Sequence, residues 1–409
     1  MVPRAAPGVD DHARQAVPDL AGPRHGDPAA PLPPGRGRLT MPPVYDEDAP
    51  PSRIGWRLPP FYCPFDTGLI HPRAAELEER AIEWIDTYGI YPDATERAWG
   101  LATHSADFTS RIIPFGDVEP MLLFTEWNYW AFATDDWQDS DPGAGRTATI
   151  ADHGARLVRA VEAPGSAMLP PGPHTDALHD LVTRTRAMLT PLQLRRFAEG
   201  VRDWVFGAAW QTAHAERRLM PGLNDFVAMR NSANGTRFTL AWCDVANGID
   251  VPADVLYSAP VQALTEAAGF IVGCDNDVCS YNKDDHQEPR EQNLLNVLAQ
   301  HHGCTPAEAL PLASALRDRT VTLFVRLRDQ VGRGADDQLR RYLRSLEHWI
   351  AGDIEYHNRA PRYTSPRNRN ALPVEGASYD ITWRDGPSDP SPEPPPLPAM
   401  TWWWQQLDG

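Results

Sequence analysis

The sequence predicts an all-α protein, and three observations carry that reading. Apolar residues recur three and four positions apart through most of residues 59–384, alternating β-branched runs are scarce, and several segments are rich in alanine. That pattern implies about ten to twelve helices, few or no strands, and one domain over 59–384. Hydrophobic residues make up 42% of the 409, with 14 tryptophans among them, which is ample for one large core.

The two ends read differently. Residues 1–58 are rich in Pro, Gly, Ala and Arg and cannot bury enough apolar surface to offset the entropy of ordering, so a disordered arm is expected. Residues 385–409 form a second Pro-rich tail, also read as disordered. Its run Pro394, Pro395, Pro396 leads to Trp402, Trp403 and Trp404, which suit docking on the body or on a partner.

A formal charge of −17 without any Lys/Arg block speaks against nucleic acid or an anionic membrane surface as partner. An anionic substrate therefore needs a metal or local arginines. No run of 18 apolar residues and no charged-then-apolar leader is present, so a cytoplasmic protein is expected. Cys63, Cys243, Cys274, Cys279 and Cys304 lack zinc-ligand spacing and read as reduced, mostly buried thiols.

Two helices matter most. The first is capped by Asp117, carries Pro120 in its first turn, passes Met121, Phe124, Trp127, Trp130 and Phe132, and stops at Pro142-Gly143. It ends in Asp135, Asp136 and Asp139. Asp135 and Asp139 are one turn apart and share a face, where carboxylates repel one another and the helix dipole unless cations relieve them. The alternative is an ordinary solvated acidic face.

The second helix starts near Pro260, runs through the nearly all-apolar stretch 267–273, and stops before Pro289. Beyond that stretch Asn276, Ser280 and Asp284 stand at i, i+4 and i+8, a stripe of amide, hydroxyl and carboxylate oxygens. These are hard donors, suited to Mg²⁺ rather than zinc. A frayed helix end with capping groups is the bland alternative.

Together the motifs resemble the aspartate-rich and (N/D)Dxx(S/T)xx(K/R)(D/E) motifs of microbial class I terpene cyclases, with Asp284 where glutamate is commoner. Two further matches follow the family's order. Arg230 lies 46 positions before Asn276, where the family carries a diphosphate-sensing arginine, and Arg362-Tyr363 matches its closing Arg-Tyr pair. The resemblance covers about residues 59–366. A looser likeness, in Phe61-Tyr62-Cys63-Pro64 and Gly89-Ile90-Tyr91-Pro92, is to the branch that includes 2-methylisoborneol synthase.

The resemblance implies the α-helical bundle of class I terpenoid synthases and three Mg²⁺ ions, with Mn²⁺ able to substitute. Asp135 and Asp139 would hold them on one side and Asn276, Ser280 and Asp284 on the other, with Asp136 at the catalytic centre as a less direct ligand. Arg230, Lys283, Arg362 and Tyr363 would bind the diphosphate of a prenyl diphosphate, farnesyl diphosphate first. Cyclisation then needs a water-free, aromatic-lined cavity. Phe108, Trp127, Phe132, Trp204, Phe206, Trp242 and Phe270 are the candidate walls, and Ala233-Asn234-Gly235 reads as the family's helix break. A homodimer and a partner for the Pro-rich arms are further expectations. Two alternatives stay open: a chain-elongating prenyltransferase, with 284–288 as its second acidic motif, and a catalytically silent helical scaffold.

Overall fold

The computed structural model describes residues 57–139, 145–284, 292–365, 372–376, 378–379 and 381–408. After β1 (Phe61–Tyr62) come α1 (Ala74–Tyr88), α2 (Ala94–Leu101), α3 (Ser105–Ile112) and the long α4 (Val118–Asp139). Next are α5 (Arg146–Glu162), α6 (Pro173–Met188), α7 (Pro191–Glu216), α8 (Leu223–Ala233), α9 (Thr236–Ala246) and the short α10 (Ala253–Leu256). The chain continues through α11 (Ala259–Asp284), α12 (Leu294–His302), α13 (Pro306–Gly332), α14 (Asp337–His357), α15 (Pro361–Thr364), β2 (Trp383–Arg384) and α16 (Pro398–Trp404). The helices outnumber the expected ten to twelve because one-turn segments such as α10 and α15 are too short to leave a periodic trace.

Local chemistry explains where the long helices start. α7 and α13 each open on Thr-Pro, with Thr190 and Thr305 accepting from the backbone N–H of Gln193 and Glu308, whose side chains bond back to the cap. α11 is apolar on most sides because it is enclosed, packing against α8, α12, α13 and α14. Its Phe270 and Ile271 are fully buried. α4 lies among α1, α3, α6 and α9. The expected stop of α4 at Pro142-Gly143 lies outside the described residues.

α8 and α9 are one helical path broken at Asn234-Gly235, as the Ala233-Asn234-Gly235 reading anticipated. Gly235 sits at φ +65°, a left-handed conformation that residues with a Cβ rarely adopt, and its N–H bonds to the Ser232 carbonyl at 3.0 Å. The break carries the backbone toward the cavity described below.

The two ends of the body meet. β1 and β2 pair in parallel, Phe61 with Trp383 and Tyr62 with Arg384. Arg317 donates to the Tyr62 carbonyl, while its neighbour Asp318 accepts from the N–H and hydroxyl of Ser388 at 2.8 and 2.7 Å. α13 thus holds both strands' segments.

The C-terminal tail does not follow the expected disorder. Its α16 docks on α8 and α11, with Trp403 only 1% exposed, its indole N–H on Glu266 at 3.0 Å and its ring 5.9 Å from that of Phe270. Burying so large an apolar ring, together with the bonds of Ser388 to Asp318 and of Asp389 to Arg319, offsets the entropy of ordering a proline-rich segment. The tryptophans thus take the body as their docking surface. The N-terminal arm, residues 1–58, lies outside the described residues except for its last two.

All five cysteines are free thiols, three of them buried. Among the described residues no helix is long and apolar enough to cross a membrane.

Candidate active site

A cavity of about 240 Å³ opens between α4, α7, the α8–α9 break, α11, α14 and α15. Helical periodicity builds its walls: Asn128, Ala131, Phe132 and Asp135 come from one face of α4, and Val272, Asn276 and Ser280 from one face of α11. α14 contributes Trp349, Asp353, Tyr356 and His357, again at helical spacing, and α7 contributes Trp204 and Gln211. Ala233, Asn234 and Gly235 line it from the break.

At one rim Arg362 lies across the end of α4. It donates to both carboxylate oxygens of Asp136 at 3.0 Å each and comes within 3.5 Å of Asp135, with its guanidinium 4.8 Å from the centre of the Phe132 ring. The planar fork suits such two-point recognition. The backbone N–H of Arg362 bonds to the Ala102 carbonyl at 2.9 Å, which anchors α15 to the end of α2.

At the opposite rim Arg230, buried on α8, reaches over α11. It donates to Asp277 at 2.7 and 3.3 Å and to Oδ1 of Asn276 at 2.9 Å. A Cβ added at Gly273 would stand 3.1 Å from Cγ of Arg230, so a bare backbone there lets the arginine lie flat on α11. Asp277 also accepts from the Leu294 N–H at 3.1 Å, tying α8, α11 and α12 together. One residue before the stripe, Asp275 is gripped by Arg317 at 2.6 and 3.0 Å. Burial pushes its carboxyl up to about 6, and Arg317 holds it from rising further.

Asn276 has a second partner. Its Nδ2 lies 2.8 Å from Nε2 of His357, whose Nδ1 is 2.8 Å from the Asp353 carbonyl and 3.0 Å from the Asp353 carboxylate. The His357 ring packs edge-on against Tyr363 at 4.4 Å. Burial raises the Tyr363 phenol, which is therefore neutral and able to donate at the cavity wall.

Of the predicted site residues, Asp135, Arg230, Asn276, Ser280, Arg362 and Tyr363 all line this one cavity, and Asp136 joins it through Arg362. Asp139, Lys283 and Asp284 close their helices, but their side chains lie outside the described residues. Among the described residues, no three His, Cys, Asp or Glu side chains gather as a ready cluster of metal ligands. The donors that line the cavity together, the Asp135 carboxylate, the Asn276 amide and the Ser280 hydroxyl, are hard oxygens that fit a divalent cation such as Mg²⁺.

The expected aromatic walls divide. Phe108, Phe132 and Trp204 line the cavity, joined by Phe238, Trp349 and Tyr356, which the sequence reading missed. Trp127 and Trp242 are core residues, and Phe270 packs on Trp403. Phe206 is 61% exposed, because two helical positions turn it away from the face that Trp204 presents inward. Asp277, Asp353 and His357 were also missed. Only the i, i+4 spacing of Asp353 and His357 hinted at a shared face.

Arginines charge-balanced by carboxylates around an aromatic-walled cavity suit a hydrocarbon chain with a polyanionic head, and in a bundle of this kind they define a class I terpene cyclase. Residues 126–322 match the model of terpene synthase family 2, C-terminal metal binding. The chain is 38% identical to spiroviolene synthase of Streptomyces violens over 350 residues, covering 85% of this chain and 96% of that one. It is 32% identical to (+)-T-muurolol synthase ((2E,6E)-farnesyl diphosphate cyclizing) of Streptomyces clavuligerus, over 84% of this chain and 81% of the relative. The crystal structure of the SVS_A2 protein from ancestral sequence reconstruction superposes with a TM-score of 0.75 at 38% identity, covering 85% of this chain and 98% of that one. The chain belongs to terpene synthase family 2, and it is a metal-dependent enzyme that ionises and cyclises a prenyl diphosphate.

Proposed function

We propose that farnesyl diphosphate is the preferred substrate and that its diphosphate binds between the two rims of the cavity. The observation that carries the reading is that Asp135 on α4 and Asn276 and Ser280 on α11 line the same cavity, with Arg362 beside Asp135 and Arg230 beside Asn276. Asp135 and Asp139 would hold divalent cations on one side, and Asn276, Ser280 and Asp284 on the other. We take the metal as three Mg²⁺ ions, replaceable by Mn²⁺. Bound there, the metal would supply Lewis-acid neutralisation of the diphosphate charge.

The chain's own residues do the rest. Arg230, Arg362, Lys283 and Tyr363 stabilise charge developing on the leaving diphosphate oxygens. Asp136 keeps the Arg362 fork aimed at the rim. Phe108, Phe132, Trp204 and Phe238 exclude water and present π faces, each worth up to about 2 kcal/mol to a desolvated cation. This local arrangement also lets a chain of net charge −17 accept a polyanion.

The name of T-muurolol synthase supports the farnesyl chain. The likeness to the 2-methylisoborneol synthase branch keeps methylated geranyl diphosphate in the test. We also place the enzyme in the cytoplasm, and propose a homodimer and a partner for the N-terminal arm. Geranyl, methylated geranyl, farnesyl and geranylgeranyl diphosphates are each incubated with enzyme and Mg²⁺, and the volatile products analysed. Cyclic hydrocarbon or alcohol from farnesyl diphosphate, without consumption of added isopentenyl diphosphate, is expected. Turnover of another chain length alone would overturn the substrate assignment, and consumption of isopentenyl diphosphate would favour an elongase.

A further inference from the structure

The Arg230 guanidinium has donors only, so the Asn276 atom it touches at 2.9 Å must be the amide oxygen. The amide nitrogen then faces Nε2 of His357 at 2.8 Å, and since that nitrogen of Asn276 can only donate, Nε2 must accept. An accepting Nε2 puts the ring proton on Nδ1, where the Asp353 carbonyl stands 2.8 Å away to receive it. Each orientation in this chain, Arg230 to Asn276 to His357 to Asp353, follows from the one before. The ring is 3% exposed and held edge-on by Tyr363 and Tyr356, with centroids at 4.4 and 5.1 Å, so it has little freedom to leave.

We propose that His357, oriented by Asp353, is a positioning residue that locks the Asn276 side chain with its oxygen toward the cavity. The inference rests on the reading of Asn276 as a metal ligand. An asparagine offers a cation one good donor atom, and a flip of the amide presents NH₂ in its place, with nearly the same shape. Arg230 holds the oxygen side only while it points at Asn276, and the same arginine is assigned to the diphosphate. Once Arg230 turns to that anion, His357 is the remaining partner among the described residues that keeps the amide from flipping. Aspartate at 276 would need no such lock, because its two oxygens are equivalent.

The test separates hydrogen bonding from packing by two substitutions with opposite defects. His357→Phe keeps a ring against Tyr363 and removes the acceptor. His357→Gln keeps an acceptor and removes the ring. Binding of inorganic pyrophosphate is measured by calorimetry as a function of Mg²⁺ concentration, alongside the melting temperature, for both variants, for Asn276→Asp, and for His357→Phe combined with Asn276→Asp.

His357→Phe should raise the Mg²⁺ needed for half-maximal pyrophosphate binding by about ten-fold or more, as loss of an outer partner of a ligand commonly does. His357→Gln should stay within about three-fold. In the Asn276→Asp background His357→Phe should change the Mg²⁺ requirement by less than about two-fold, the coupling expected of two residues acting through one bond. If phenylalanine is the milder of the two substitutions, or its penalty is the same in both backgrounds, His357 serves packing and the proposal fails. Should His357→Phe not fold, His357→Leu, which also lacks the acceptor, replaces it in both backgrounds and the comparison is unchanged. Asn276→Leu marks the remaining distinction. If it leaves Mg²⁺-dependent pyrophosphate binding intact, the metal assignment of Asn276 is wrong; if it abolishes binding while His357→Phe behaves as wild type, only the positioning role is lost.

Discussion

Arg362 holds Asp136 through two parallel hydrogen bonds of 3.0 Å, joining the last turn of α4 to α15, two elements more than 220 residues apart in sequence. A lysine at 362 would keep the charge but lose the fork, and charge-assisted hydrogen bonds of this kind carry about 1.5–3 kcal/mol. Arg362→Lys should therefore lower kcat/KM for the prenyl diphosphate by roughly 10- to 100-fold, with a loss of up to about 1.5–3 kcal/mol of stability from the broken fork. Steady-state kinetics on the purified variant checks this, and an unchanged kcat/KM would remove Arg362 from the diphosphate site.

The two tails should behave differently when cut. Trp403 is a fully buried ring with its N–H on Glu266, and Trp403→Ala should cost about 3–5 kcal/mol in a denaturant titration. Removing residues 1–55 should leave both stability and turnover within a few-fold of the full chain, since that composition contributes little to a core. Equal sensitivity to both changes would mean that the arm belongs to the folded unit.

Asp244 gives the fold a pH dependence away from the cavity. Burial pushes its carboxyl up to about 8, against the pull of Arg196. The folded chain then binds this proton more tightly than the unfolded chain, whose carboxyl titrates near about 4. The contribution is complete below that lower value and is lost as pH rises through about 8. Wild type should lose roughly 2 kcal/mol or more of stability between about pH 5 and pH 8.5 relative to Asp244→Asn, which cannot ionise. Parallel curves for the two proteins would show that Asp244 is already charged in the folded state.

What the sequence displayed was local. The start of α4 after Asp117, the shared face of Asn276 and Ser280 on α11 and the helix break at Gly235 are all written in capping, spacing and a single glycine, and each falls where those signals place it. Arg230 was found through the family resemblance, which carries an arginine 46 positions before Asn276, and in space the two side chains touch. The rest depends on how helices close on one another. His357 and Asp353 acquire a role only because α14 packs on α11, which no local pattern encodes. Trp204 and Phe206 looked alike in sequence, and only the orientation of α7 separates a cavity wall from an exposed ring. The docking of Trp403 likewise needs the surface that α8 and α11 form together.

The claim that the α11 stripe holds the metal is tested most directly by turnover against Mg²⁺ concentration for four substitutions. Chelator should abolish turnover of the wild type and added Mg²⁺ restore it. Asn276→Leu should be inactive with the fold intact, because a ligand is lost at a half-buried position and no core volume is removed. Ser280→Ala should be milder and partly rescued by raised Mg²⁺. Asp284→Glu should be tolerated, since a carboxylate remains on the stripe, whereas Asp284→Asn should not. Turnover that survives chelation, or four variants with the same Mg²⁺ dependence as wild type, would contradict the account.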